Sequence, residues 1–332
     1  MSGWLVFLLV GFALMLVSRQ TLLALSKKCV TSISWYNSIL WSRSGGVTRR
    51  IASVPLTRFL VGSASAAVLL FLLAPARAEA IQGGQQYANA YGFDRCGQLS
   101  NLPSVSSMQT WWNASPYWWY NVYLGGANAT CPAGTAGTWL NEVNSQGWDF
   151  VYTWVGPQPS CSSGYNSYFS SDPTVAFSQG VNEANLAVAQ IAADAINYGA
   201  GLSVEYDLET AGNGTCQNAV DSFIQGWVNQ MYANGITPGV YGSVCAANLQ
   251  ALASLSPPPW FIWGADWNGN PNTTDLLAGG CGVQNGDWVD NQRIKQYEAN
   301  IMLQFGGILR NGDMDCADYA TSPGGVNMGQ CG

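Results

Sequence analysis

The 332-residue sequence contains no histidine, and charged residues make up only 9% of it. Without imidazole, Ser-His-Asp and Cys-His systems are excluded, and carboxyl groups are left as the side chains that titrate near neutrality. No CxxC pair occurs, so neither a zinc site nor a dithiol redox motif is expected, and no cofactor is implied. Basic residues are scarce and unevenly placed: 8 of the 12 Lys and Arg fall in residues 1–80, beside a single acid, Glu79. Residues 81–332 carry 4 basic against 18 acidic side chains, net 4 − 18 = −14, and Lys295 is their sole lysine. Such a surface repels phosphate backbones, so nucleic acid is not an expected partner.

The basic segment, 1–80, reads as a signal or anchor. Its first apolar run, 4–25, is interrupted by Ser18, Arg19 and Gln20, and would tie the chain to a membrane if it were retained. The second, 59–74, follows Arg49, Arg50 and Arg58 and ends at Ala76-Arg77-Ala78, a small-x-small pattern that predicts cleavage near 78–80. Val47 could be an internal start, and Arg49-Arg50 fits a twin-arginine signal as well as an ordinary basic n-region. Cys29 lies in this segment; the remaining eight cysteines (96, 131, 161, 216, 245, 281, 316 and 331) form the even set expected of a disulfide-bonded exported protein. Secretion or a cell-wall location follows as the expectation.

Residues 81–332 suffice for one large α/β domain. Strand patterns at 91–96, 120–126, 149–156 and 202–209 alternate with helical ones at 103–115, 138–146, 175–198 and 218–233. Ser100 or Asn101 could cap the first helix. A strand at 237–243 and a short helix at 246–255 follow, then strands at 260–267, 293–299 and 308–319 with little helix between them. This alternation predicts a closed parallel barrel, in which catalytic groups gather at the C-terminal strand ends.

The most informative stretch is Gly201–Thr210, GLSVEYDLET, where Glu205, Asp207 and Glu209 recur at every second position. On a strand their carboxyls project to one side, about 6.5–7 Å apart. Crowded carboxyls push one another's pKa apart, so that one holds a proton while its neighbour is ionised, the division of labour that glycoside hydrolysis requires. A half-exposed strand with a polar outer face gives the same pattern. Strand-end acids elsewhere decide between the two: Asp94, Asp266 and Asp315 would converge with Asp207 and Glu209 on one mouth, near Tyr241, Trp267, Gln296 and Tyr297. Abundant Trp, Tyr and Asn suit sugars, although Trp154 and Trp263 serve equally well as core.

GFD at 92–94, Asp-x-Glu at 207–209, VYGS at 240–243, W-x-A-D-W at 263–267, KQY at 295–297, Asp315 and Tyr319 together resemble the glycoside hydrolase family 25 lysozymes. They resemble more closely the related glycoside-hydrolase-like domain of secreted actinobacterial proteins. The resemblance implies a (β/α)5β3-like modified TIM barrel and cleavage of a β-1,4 bond beside an N-acetylated sugar, as in peptidoglycan. It implies Glu209 as general acid, with Asp207 positioning it, stabilising charge or orienting the substrate acetamido group. Asp94 and Asp315 would line the same cleft, and Tyr241, Asp266, Trp267, Gln296 and Tyr297 would contact substrate. Glu205, one step deeper, is expected to be a buried structural partner, for example of an arginine; Asp266 and Asp313 could also be structural. The partner expected is cell-wall polysaccharide, met by a monomer. The alternatives are a non-catalytic glycan-binding or envelope protein on the same barrel, and a structural envelope protein held by the first apolar run.

Overall fold

The computed structural model describes residues 87–95, 102–130, 137–196, 202–212, 214–278, 280–319 and 331. The 1–80 segment, Cys96 and Cys131 lie outside the described residues. Among the described residues no helix is long and apolar enough to cross a membrane.

Strand β1 (Tyr87–Asp94), helix α1 (Val105–Ala114), β2 (Trp119–Gly125), α2 (Gly137–Ser145) and β3 (Asp149–Trp154) set up the alternation. A loop holding the short strands β4 (Gln158–Pro159) and β5 (Tyr168–Phe169) leads to α3 (Pro173–Ala193), β6 (Ser203–Asp207), α4 (Gln217–Ala233) and β7 (Thr237–Ser243). A 3-10 turn at Leu249–Ser254 precedes β8 (Phe261–Ala265); the insert beyond it carries the small hairpin of β9 (Leu277–Ala278) and β10 (Cys281–Gly282). Two long strands, β11 (Gln292–Phe305) and β12 (Ile308–Tyr319), follow. Helices begin where local chemistry starts them. Asp172 caps α3 by accepting from Thr174 N and Val175 N, with Pro173 at the first helical position. Ser104, not Ser100 or Asn101, caps α1, its Oγ accepting from Ser107 N at 3.2 Å.

Eight strands close into a barrel in the order β1-β12-β11-β8-β7-β6-β3-β2, the (β/α)5β3-like architecture expected. It is not wholly parallel. β12 runs antiparallel to both β11 and β1, because Gly306 and Gly307 turn the chain back with φ of 55° and 80°, values that fit a two-residue hairpin turn. Asp315 therefore does not end the eighth strand. The chain enters β12 from the mouth side, which places Asp313 level with Asp94 and Asp315 two residues deeper, opposite Gly92 and Gln296.

The barrel interior is filled by Trp119, Val151, Phe261, Trp263, Ile294, Ala317 and Tyr319, with Trp119 and Trp263 edge to face at 5.6 Å. Val151, Phe261 and Ile294 each contribute about 1.5–3 kcal/mol on burial. A second core lies between barrel and helices, where Phe93, Trp111, Tyr206, Phe223 and Trp227 are buried. β11 also organises the insert that precedes it. The buried Arg293 guanidinium donates to the carbonyls of Thr273, Gln284 and Asp287, and Lys295 Nζ donates to Asn268 Oδ1 and Asp275 O. Three disulfides are described: Cys161–Cys216, Cys245–Cys281 and Cys316–Cys331.

Candidate active site

The mouth of the barrel holds a cavity of about 340 Å³ whose walls include Asp94, Asp207, Glu209, Tyr241 and Asp313, with no lysine or arginine. β6 supplies the first pair. Glu205 and Asp207 point inward from a strand buried along its whole length, and Glu209 follows one residue beyond Leu208. Asp207 and Glu209 are neighbours on the cavity wall, and the carboxyl of each perturbs the other. Burial, then the charges of Glu209, Glu205 and Asp94, hold Asp207 well above the usual carboxylate range. Burial also raises Glu209, while the Asp207 hydrogen bond counteracts that rise. Glu209 is exposed as a residue although the wall shelters its carboxyl, so it is the member of the pair that a ligand meets.

Facing them, β1 presents Asp94. Tyr123 Oη donates to its Oδ1 at 2.8 Å and Gln296 Nε2 to its Oδ2 at 2.7 Å. Gln296 is fixed in turn by Tyr241 Oη and Trp267 Nε1, which donate to its Oε1 at 3.0 and 2.8 Å. These contacts orient the amide so that its N–H group faces Asp94. Asp313, the cross-strand partner of Asp94, accepts from Asn300 N at 2.6 Å. Burial, with the charge of Asp313 added, pushes Asp94 up to about 7. Asp315 is fully buried beneath; Trp263 Nε1 donates to its Oδ1 at 3.1 Å, and burial with the Asp94 charge holds it well above the usual range. Burial and like charge, with no lysine or arginine on the wall, thus favour the protonated form of these carboxyls.

The loop between β3 and α3 forms one wall. Asn128 binds it four times: its Nδ2 donates to Gly156 O and Ser167 O, and its Oδ1 accepts from Asn166 N and Ser167 N. Cys161–Cys216 staples the same loop to the start of α4. Gln158, fully buried, donates from Nε2 to Asp207 O at 2.7 Å and accepts at Oε1 from Glu209 N at 3.0 Å.

Several residues read from sequence therefore come together: Glu209, Asp207, Asp94 and Tyr241 on the wall, Gln296 and Asp315 behind it, and Trp267 joined to Gln296 with 63% of its surface exposed. Others sit elsewhere. Tyr297 follows Gln296 and so faces outward, where it packs near Tyr91, Cys316 and Cys331. Asp266 lies 3.6 Å from Lys295 and helps neutralise it, away from the cavity wall. Trp154 and Trp263 are core, at 6% and 1% exposure. Glu205 meets no arginine; Thr153 Oγ1 donates to its Oε1, and burial keeps its pKa well above normal. The buried Arg293 donates instead to the insert's carbonyls. Tyr123, Asn128, Gln158 and Tyr165 join the wall without belonging to the acidic and aromatic pattern at the strand ends. The Pro- and Ser-rich stretch 157–173, containing Cys161, is the sequence feature that points toward Gln158 and Tyr165.

Residues 109–316 match the Rv2525c-like, glycoside hydrolase-like domain family. The chain belongs to this family. The glycoside-hydrolase-like domain expected from the motifs is thus the one present. No curated protein matches the sequence. Among solved structures, an uncharacterized B. stearothermophilus protein is 15% identical, over 69% of this chain and 96% of that one, with a TM-score of 0.42. The catalytic domain of endolysin ply40 from bacteriophage P40 of Listeria monocytogenes is 13% identical over 70% and 95%, with a TM-score of 0.39. The modular Cpl-1 endolysin complexed with a peptidoglycan analogue is also 13% identical, over 70% of this chain and 55% of that one, with a TM-score of 0.38. Likeness at these levels carries no inference about chemistry.

Proposed function

We propose that the protein is a glycoside hydrolase that cleaves β-1,4 bonds of cell-wall glycan, with Glu209 as the group that moves protons to and from the glycosidic oxygen. The observation that carries the reading is the placing of Asp207 and Glu209 on one cavity wall together with an anchored Asp94. Burial keeps a carboxyl proton available near neutral pH, as a general acid requires. Glu209 delivers it to the leaving oxygen as the bond to the anomeric carbon breaks; water adds to that carbon and returns a proton to the carboxylates. Asp94 and Asp313, in their ionised forms, stabilise the positive charge that develops on the sugar. Family membership supports the reaction class. Three disulfides support a site of action outside the reducing cytoplasm.

The test is digestion of purified peptidoglycan by residues 81–332 in 18O-labelled water, followed by mass spectrometry of the soluble fragments. One 18O at each new reducing end is the expected product. Label only in peptide carboxyls would assign the cut to an amide bond, and unlabelled, uncleaved glycan would remove the enzyme reading.

A further inference from the structure

β6 pairs with its neighbours only as far as its last residues, yet the group proposed to do the chemistry lies two residues beyond the strand. On the β3 side the ladder ends at Trp154 opposite Tyr206. Past that point the Asp207 carbonyl and the Glu209 N–H have no strand to pair with on that side. On the β7 side Leu208 N donates to Tyr241 O at 2.9 Å, which secures one edge only. Gln158 meets the other edge. Its carboxamide accepts from Glu209 N and donates to Asp207 O, the pair of bonds a neighbouring strand's peptide would make. The amide is completely buried, so water cannot replace it without displacing the loop.

Gln158 is itself held on all sides. Its backbone N donates to Ser167 O at 3.0 Å, and β4 pairs with β5 through Gln158 and Tyr168. Tyr206 Oη, from the adjacent position on β6, donates to Pro157 O at 2.5 Å. Cys161, three residues on, is bonded to Cys216, which follows Glu209 in the chain. The two backbone segments that the amide joins are therefore covalently tied as well.

We infer that Gln158 is a positioning residue for the reaction proposed above: its side chain acts as a one-residue extension of the barrel that fixes the backbone carrying Glu209. The inference rests on the glycosidase reading for its kinetic consequence, but its geometric part can be read without turnover. An amide is needed because one end must donate and the other accept. A carboxylate at 158 would accept from Glu209 N but could not donate to Asp207 O, whereas a protonated carboxylic acid would do both.

The test compares wild type, Gln158→Ala and Gln158→Glu in the full chain, reading kcat and KM on a soluble glycan oligomer across the acid-to-neutral range, together with hydrogen exchange at the Glu209 amide. Misplacement of a catalytic group by about 1 Å costs roughly 10²-fold in rate, so Gln158→Ala should lower kcat by about that factor while KM stays within about twofold. Gln158→Glu, which keeps size and shape, should approach wild type at acid pH and fall away as its carboxyl ionises. The Glu209 amide should exchange slowly in wild type and fast in Gln158→Ala. Unchanged kcat in Gln158→Ala, or a Gln158→Glu profile parallel to wild type at every pH, would overturn the inference. If wild type turns over no glycan, the glycosidase reading fails, and amide exchange decides the clamp by itself: fast exchange in Gln158→Ala sustains it, and unchanged protection overturns it.

Discussion

Replacing Asp94 with Asn tests the electrostatics of the cavity without reference to any substrate. Asp94 is 2% exposed and faces Asp313 across the β1–β12 ladder; burial and that neighbour raise its pKa from 3.8 to about 7. In the unfolded chain it would titrate near its ordinary value. Between these two pKa values the folded state binds the extra proton, so stability is greatest below the lower one and is lost as pH rises through the higher. At about 1.36 kcal/mol per pH unit, the full penalty for the ionised group is about 4 kcal/mol. Asp313 and Asp315 share the titration, so about 2–4 kcal/mol should be assignable to this position.

An asparagine amide suits the site. Its oxygen can accept from Gln296 Nε2, and its NH2 can donate to the Tyr123 hydroxyl in place of the bonds now made. Asp94→Asn should match wild type within about 1 kcal/mol near pH 4 and exceed it by about 2–4 kcal/mol near pH 8, measured by urea unfolding with disulfides intact. Other buried acids, Asp149 and Asp318 among them, give both proteins a similar background slope that cancels in the difference. Stabilities that stay parallel across pH, or a variant less stable at alkaline pH, would refute the reasoning.

Two further expectations concern the supports of the site. Asn128→Ala removes four hydrogen bonds to the loop at 156–167; it should cost about 2–4 kcal/mol, and hydrogen exchange should quicken at Asn166 and Ser167. Arg293→Leu leaves the carbonyls of Thr273, Gln284 and Asp287 without their donor. A loss of about 3–5 kcal/mol, with early proteolysis between residues 268 and 291, is the expected result.

The barrel is legible because its strands announce themselves locally: 237–243 and 308–319 have in the sequence the limits now seen, and Asp207 and Glu209 are marked by their spacing together with the acids at other strand ends. The hairpin was not fully legible. β11 runs on to Phe305, but its register shifts at Glu298 and Ile301, and Asn300 adopts φ of 56°, so the alternation that marks a strand breaks off near residue 299. The same twofold period explains why KQY yields one residue at the site, Gln296, and one outside it, Tyr297. Gln158 and Asn128 were hidden for a different reason. Their roles are set by partners 28 to 51 residues away, through a loop that has no period of its own, as the separations from Asn128 to the 156–167 segment and from Gln158 to Glu209 show.

The most direct test of the central claim is the rate of glycan cleavage by wild type and Glu209→Gln, measured side by side with their melting temperatures and their binding to the same wall preparation. Glu209 is exposed, so its amide should fold and bind normally while turnover falls by about 10²–10⁴-fold. Equal turnover in the two proteins would contradict the assignment of Glu209. Equal binding with no product from either would identify a glycan-binding protein on a hydrolase-like barrel.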